Sequence, residues 1–377
     1  MEVRIGDSIE CNPTVKLVKG NEYPLIDIDK ITVGRKLVTN KDTIVYEKQS
    51  GCKFQNGDTL MARITPCLEN GKMAMASIPD KGIGSTELFV FRGKKGITDN
   101  DFVYYFLKQS YIRNLAANSM TGASGRQRAD LKFIKKIKFD LPTLPIQQKI
   151  ASTLSAYDRL IENNTRRIRL LEQMAENLYK EWFVRFRFPE HEKVEMVNGL
   201  PKGWKINSLK EICEFKRGRN ITSAEMCDGV IQVISAGITP SGYHNKANVH
   251  GVSVTMSSSG ANAGYISIHY DDIWAADCSY ISEKETEDIY YVYELLNNIR
   301  QVINNFQIGA AQPHVYPKDI NRIKTCVPPK ELRIKANANL SKIHKEIHKL
   351  YKQNQLLTRQ RDLLLPRLMS GKLEVKS

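Results

Sequence analysis

The amino-acid sequence predicts a duplicated α/β (α+β) chain: two globular domains, each followed by a long α-helix. Three observations lead there. Two heptad-spaced segments lie 186 residues apart, similar helix-and-turn segments precede both, and the stretches further upstream are short, β-branched and punctuated by glycine. The boundaries that follow are 1–143 for the first domain, 144–188 for the first long helix, 189–201 for a linker, 202–328 for the second domain and 329–377 for the second helix.

Within the domains, Thr59 to Ile64, Leu88 to Phe91, Val230 to Ser235 and Val252 to Met256 read as strands. Asp101 to Met120 and Ile289 to Phe306 read as amphipathic helices. A turn of small residues follows each, Thr121 to Gln127 and Ile308 to His314, and then Ile134-Lys135-Lys136-Ile137-Lys138 or Ile320-Asn321-Arg322-Ile323-Lys324.

The first long helix carries Ile150, Leu154, Tyr157, Ile161, Asn164, Ile168, Leu171, Ala175, Leu178 and Trp182 in alternating steps of four and three, the seam of a coiled coil. Adding 186 gives Ala336, Leu340, Ile343, Ile347, Leu350, Asn354, Leu357, Arg361, Leu364 and Leu368. Proline stands before both helices (Pro142, Pro328, Pro329) and stops helical structure from running backwards. Neither stripe can be buried alone, so each helix needs a partner. Under the repeat shift Asn164 falls on Leu350 and Asn354 on Ile168, so each seam holds one polar position, staggered; a register device and a local imperfection both fit. Pro189 to Pro201, rich in Pro, Gly and charge, reads as a linker.

Composition narrows the class. The 377 residues are 41% hydrophobic and 26% charged, with mean hydropathy −0.39. No run approaches the apolar length of a spanning helix, and the start, Met-Glu-Val-Arg-Ile-Gly-Asp, lacks the pattern of a signal peptide, so a cytoplasmic protein is expected. Seven scattered cysteines without a Cys-x-x-Cys pair fit reduced, mostly buried thiols. The net charge of +15 favours polyanionic partners, but it is uneven: +7 in the first domain, +3 in the first helix, −2 in the linker, −1 in the second domain and +8 in the last segment.

A search for catalytic motifs returns little. There is no Gly-rich cofactor loop, no Asn/Asp-Pro-Pro-aromatic turn (Asn12-Pro13-Thr14-Val15 departs at its third and fourth residues) and no phosphate-cradling Gly-x-x-x-x-Gly-Lys-Ser/Thr loop. Glu190-His191-Glu192-Lys193 has the residue types of a metal-dependent nuclease but lies in the linker, where ligands would be loosely held. His344 and His348, four residues apart, fall outside the seam and read as a solvated or partner-facing surface in preference to a metal site. The chain reads as non-catalytic and metal-free.

Loops suited to nucleic acid remain. Thr121, Ser124, Arg126, Gln127 and Arg128 offer hydroxyls, an amide and two guanidiniums, groups that bond base edges or phosphates. Arg63 and Thr65, closed by Lys72, form a second candidate. The second half offers Ser258, Asn262, Tyr265, Gln312 and His314, with a basic cluster of Lys216, Arg217 and Arg219. Any one of them could equally be an ordinary solvated turn residue; the pairing of such loops in both halves favours binding.

At this point the chain resembles the DNA-specificity subunits of type I restriction–modification systems. Leu141-Pro142-Thr143-Leu144-Pro145-Ile146-Gln147-Gln148-Lys149-Ile150 looks like that family's opening of its first conserved helix, and Glu176-Asn177-Leu178-Tyr179-Lys180-Glu181-Trp182-Phe183 like its end. Leu200-Pro201-Lys202-Gly203-Trp204-Lys205 is similar to the start of the second target-recognition domain, and Arg361-Asp362-Leu363-Leu364-Leu365-Pro366-Arg367-Leu368-Met369-Ser370-Gly371 to the common ending. Thr143 and Gln147 depart from the usual Pro and Glu, and Lys330-Glu331-Leu332-Arg333 is a loose version of the helix opening. The resemblance implies a subunit without an active site or cofactor of its own. Its two target-recognition domains each read one half of a split, asymmetric DNA site, and its helices pack as an antiparallel coiled coil with pseudo-two-fold symmetry. That spacer docks two methyltransferase subunits, which hold S-adenosylmethionine. Where a restriction complex forms, two restriction subunits, which use ATP and Mg2+, join them. Two other classes compete: a coiled-coil scaffold whose heads bind no DNA, and a fragment of a fused modification–restriction enzyme.

Overall fold

The structure, a computed structural model, describes residues 2–39, 41–123, 125–307 and 313–373. The chain folds as two compact units, Met1–Thr165 with Lys352–Ser377, and Arg166–Tyr351. The long helices span Leu144–Tyr179, followed by a π-helical turn at Lys180–Val184, and Lys330–Met369. Each unit therefore contains part of both. Among the described residues, no helix is long and apolar enough to cross a membrane.

In the first unit a five-stranded sheet runs in the order Ile9–Cys11, Leu88–Gly93, Thr59–Ala62, Met73–Ala76, Leu37–Val38, antiparallel except for the last pair. Its side chains sort by the two-residue period of a strand. Met61, Met73, Met75, Phe89 and Phe91 pack with the helical residues Phe102 to Leu107 and with Ile150, Leu154, Leu365 and Leu368. Leu60, Ala62, Ala74, Ala76, Leu88 and Val90 face Ile26 and Phe54 of a second, four-stranded sheet. Within that second sheet Lys81–Gly84 pairs parallel with Glu22–Ile26, and Gly84 permits the close strand contact: a Cβ there would lie 2.5 Å from the Ile26 carbonyl oxygen.

The expected helix from Asp101 to Met120 is two helices, Asn100–Lys108 and Ser110–Asn118. Gln109 between them is extended, and its side-chain amide donates to the Phe106 carbonyl, closing the first helix. The second half does likewise, with Ile289–Asn298 and Arg300–Asn304 in place of one helix.

Two parts of the long helices pair antiparallel inside the first unit. Asp158 bonds Arg361, and further along Asn164 donates to Asn354 at 3.0 Å, so one chain number rises as the other falls. Tyr105 donates to Asp158, and Lys36 bonds Asp101 and Ser155, so the helix pair is tied to the sheet domain by a polar cluster that is buried at Tyr105 and Asp158 and part-buried at Lys36. The Lys108 ammonium lies in the same place, shut from solvent, without a hydrogen-bond partner and 5.6 Å from the Tyr104 ring centroid. Its burial lowers its pKa from 10.5 to about 8, with Arg361 adding to the effect.

The second unit repeats the plan. A four-stranded antiparallel sheet runs Lys216–Arg217, Cys278–Ser282, Ser253–Ser257, Ile266–His269, beside a three-stranded sheet of Gly242–His244, Ile231–Ile234 and Ile273–Ala275. Lys205–Ser208 pairs with Lys324–Val327, as Glu2–Arg4 pairs with Lys138–Asp140 in the first unit. Ile168, Ala175 and Trp182 share one core with Ala336, Leu340, Ile343, Ile347 and Leu350, and Leu171 and Leu178 pack on it.

Three expectations change. The linker is not loose: His191–Lys193 forms a helical turn, Met196–Val197 pairs with Leu200–Pro201, and Phe188 stacks on Trp204 at 5.9 Å. Those aromatics bury apolar surface that offsets the entropy of ordering the segment. His344 is not solvated; it is 2% exposed, bonded to the Tyr270 hydroxyl at 2.9 Å and near Glu294 at 3.3 Å. His348, half-buried, stacks on Tyr270. The seam asparagines are not staggered but face each other. Of the thiols, Cys213 and Cys278 are buried, four are half-buried and Cys227 is exposed.

The depressed pKa of Lys108 has a sign that can be measured. Between about pH 8 and 10.5 the unfolded chain binds more protons than the folded one, so rising pH stabilises the native state through this residue; below pH 8 the burial cost is present in full. Lys108→Met is expected to be more stable than the parent at pH 7, with the gap closing by about 2 kcal/mol by pH 10 in urea titrations. A gap independent of pH would contradict the assignment.

Candidate nucleic-acid interface

The turn after Ser110–Asn118 is built by backbone pairing. Thr121 and Arg128 exchange two hydrogen bonds of 3.1 and 3.0 Å, with Gly122 and Gly125 at positive φ between them. The strand-end segment Arg63–Thr65 holds its base: Thr65 N–H donates to the Gln127 carbonyl at 3.0 Å and Ala129 N–H to that of Arg63 at 2.8 Å. The two loops singled out in the first half are therefore one cluster.

Within it the cations differ. Arg128 grips Glu87 with Nε (3.0 and 2.9 Å) and Nη2 (2.6 Å), a fork on a carboxylate. That bond holds the Glu87 carboxyl below its ordinary pKa against the opposing effect of burial. Arg63 is half-buried over the Phe89 ring, and its Nε has no partner. Lys72 donates to the Ile28 carbonyl at 3.1 Å. Arg126 and Thr121 are exposed and Gln127 is half-buried, while Thr65 caps the Met120 sulfur at 3.2 Å. Ser124 and Gln312 lie outside the described residues.

The second unit places equivalent pieces together. Ser259 pairs with His314, as Ile64 pairs with Arg128 in the first unit. Asp277 precedes the strand Cys278–Ser282 as Glu87 precedes Leu88–Gly93. Here the fork is missing. His314 is shorter than arginine, and a cavity of about 310 Å³ lies between Arg217, Asn220, Ser258, Asp277, His314 and Tyr316. Ser258 is 9% exposed and its hydroxyl has no partner among the described residues; Ser259 donates to Asp277 at 2.7 Å, and His314 stacks on Tyr316.

Around it, Lys216 is paired with Glu285 at 2.8 Å, Arg219 is exposed with its carbonyl accepting from Trp274, and Tyr265 lies under the Arg300 guanidinium at 5.3 Å. Asn262 is half-buried in the turn Gly260–Asn262. A second cavity of about 180 Å³ adjoins Tyr265, Thr255 and His269, whose pKa burial lowers to about 4, so the imidazole is neutral. Glu87, Asp277, Asn220 and Tyr316 were not anticipated from sequence. The signal for the two acids was an acidic residue just ahead of the equivalent strand in each half.

The chain is thus a repeated α+β protein with one polar loop cluster at matching strand ends of each repeat. Comparison with known proteins gives the family. The family described as the type I restriction modification DNA specificity domain matches residues 2–173 and again 201–362, and the chain belongs to it. It is similar to the type I restriction enzyme MjaVIII specificity subunit of Methanocaldococcus jannaschii, 24% identical over 413 aligned positions that cover 100% of this chain and 93% of the relative. The MjaIX specificity subunit of the same organism is 25% identical over 312 positions, 75% of this chain and 71% of that one. The crystal structure of a type I restriction–modification S subunit from M. genitalium shares the fold, with a TM-score of 0.58 and 18% identity over 98% of this chain and 96% of that one.

The Glu87–Arg128 fork sets a pH response. A lowered carboxyl pKa contributes stability that is present above the ordinary value of 4.5 and is lost as pH falls through the native one. Exchange of the Arg128 and Thr121 amides is expected to accelerate as pH falls below 4.5 in the parent, beyond the intrinsic trend, and to show no such step in Glu87→Gln. The same step in both would contradict the fork.

Proposed function

We propose that this chain is the DNA-recognition subunit of a type I restriction–modification complex. Each globular part reads one half of a bipartite, asymmetric site, and the paired helices set the spacing and dock two methyltransferase subunits, with two restriction subunits where the system has them. In this reading the chain is not itself an enzyme and works in the cytoplasm. S-adenosylmethionine belongs to the methyltransferase partners, and ATP and Mg2+ to the restriction partners.

The observation that carries the reading is the match of both repeats to one DNA-specificity family, together with loop clusters at equivalent strand ends. The clusters differ in chemistry, a guanidinium–carboxylate fork in one and an open cavity with histidine, aspartate and serine in the other. Two different donor–acceptor sets recognise two different half-sites. The first cluster reads with Arg126, which is exposed, and is braced by Arg128, whose charge Glu87 already balances.

The test is DNA binding by the chain in complex with its methyltransferase partners, on DNA carrying the sequence whose adenines the complex methylates. Affinity is expected to fall steeply with salt, as phosphate contacts require. Arg126→Ala is expected to weaken the specific complex by roughly 1–3 kcal/mol and random DNA much less. Equal losses on both would make Arg126 a backbone contact, and absence of salt-dependent binding would favour a scaffold.

A further inference from the structure

The asparagine pair bears on which helices can join. Asn164 Nδ2 donates to Asn354 Oδ1 at 3.0 Å, Asn354 Nδ2 lies 3.4 Å from the Ile161 carbonyl and Thr165 Oγ1, and Asn164 is 7% exposed. Taking that pair as the register, the seams meet in reverse order: Ile161 opposite Leu357, Ile168 opposite Leu350, Ala175 opposite Ile343, Trp182 opposite Ala336. The bulky Trp182 and the small Ala336 are both buried in one core.

Because the helices are repeats of one another, each could in principle pair with a second copy of itself in the same register. The first helix would then set Asn164 against Ile168, twice by symmetry, and Trp182 against Ile150. The last would set Asn354 against Leu350, twice, and Ala336 against Leu368. Every amide is left facing hydrocarbon at its seam position; Asn164 is buried and Asn354 half-buried, and a buried polar group without a partner shifts the equilibrium about tenfold or more. Only the pairing of first with last brings amide to amide.

We propose that these asparagines make the interface exclusive: the first long helix accepts the last helix, from its own chain or from a second copy, and rejects another first helix. The inference is independent of what the globular parts bind. It assigns to Asn164 and Asn354 the choice of partner, a role polar seam residues can take at some cost in stability.

The test uses the whole chain with a protease site placed at Asn198–Gly199 and cut after purification. When the cut protein is unfolded in urea and refolded, native mass measurement is expected to show one first half with one second half, and self-paired halves below about a tenth of the total. A statistical one-to-two-to-one mixture would overturn the proposal. Uncut chains give a second reading that does not need the halves to refold. Asn164→Ile with Ile168→Asn, and separately Leu350→Asn with Asn354→Leu, reproduce the self-paired mismatches and should each shift folding about tenfold or more toward the unfolded state. The four-site combination brings the two relocated amides face to face again and should recover most of that loss; purely additive losses would overturn the proposal.

Discussion

Everything in this chain depends on an apolar stripe that one helix cannot bury. At 1.5 Å per residue each long helix would expose a seam tens of ångströms long if it stood alone. The antiparallel partner covers it, and the globular residues close the ends: Leu154, Leu365 and Leu368 join the core of the first sheet, while Ala175, Ile343 and Ile347 join that of the second unit. Each compact unit is thus built from a domain and a stretch of both helices. The Asp158–Arg361 pair shows why the last helix cannot be separated from the first unit: breaking a buried pair leaves a charge without a partner, at a cost of about 3–5 kcal/mol.

Duplication fixed positions more strictly than chemistry. Lys108 and Glu294 occupy equivalent places on the domain helices, and Asp158 and His344 equivalent places on the long ones. In the first unit the domain supplies the cation and the long helix the acid; in the second the domain supplies the acid and the helix an imidazole. The loop clusters diverged in the same manner. Glu87 and Asp277 sit ahead of equivalent strands, one held in an arginine fork, the other beside an open cavity with His314. A shared backbone thus carries two loop clusters with different donor–acceptor sets.

What could be read from sequence was what depends on local period. Heptad spacing found both long helices, and every seam position is buried or half-buried. The small-residue turns marked the loop clusters. Contacts between distant residues were hidden. A shift of 186 relates equivalent positions, not neighbours, so Asn164 and Asn354 looked staggered although the reversed pairing sets them face to face. Heptad counting sees only the partner helix, and so missed Tyr270 and Glu294 around His344 on the other side. Arg128 and Glu87 lie 41 residues apart, and no pattern in the chain announces that an arginine in a candidate loop is already engaged. Gln109 breaks its helix by adopting an extended backbone, where nothing in the amphipathic pattern signals a stop.

The central claim is the reversed register of the two seams, and disulfide trapping in a background freed of the native cysteines tests it most directly. Ile161→Cys with Leu357→Cys places thiols at facing positions and is expected to close an intramolecular bond under mild oxidation. Ile161→Cys with Ile347→Cys joins positions that are equivalent in the repeat but would meet only if the helices ran parallel, and is expected to stay open. Closure of the second pair and not the first would contradict the account.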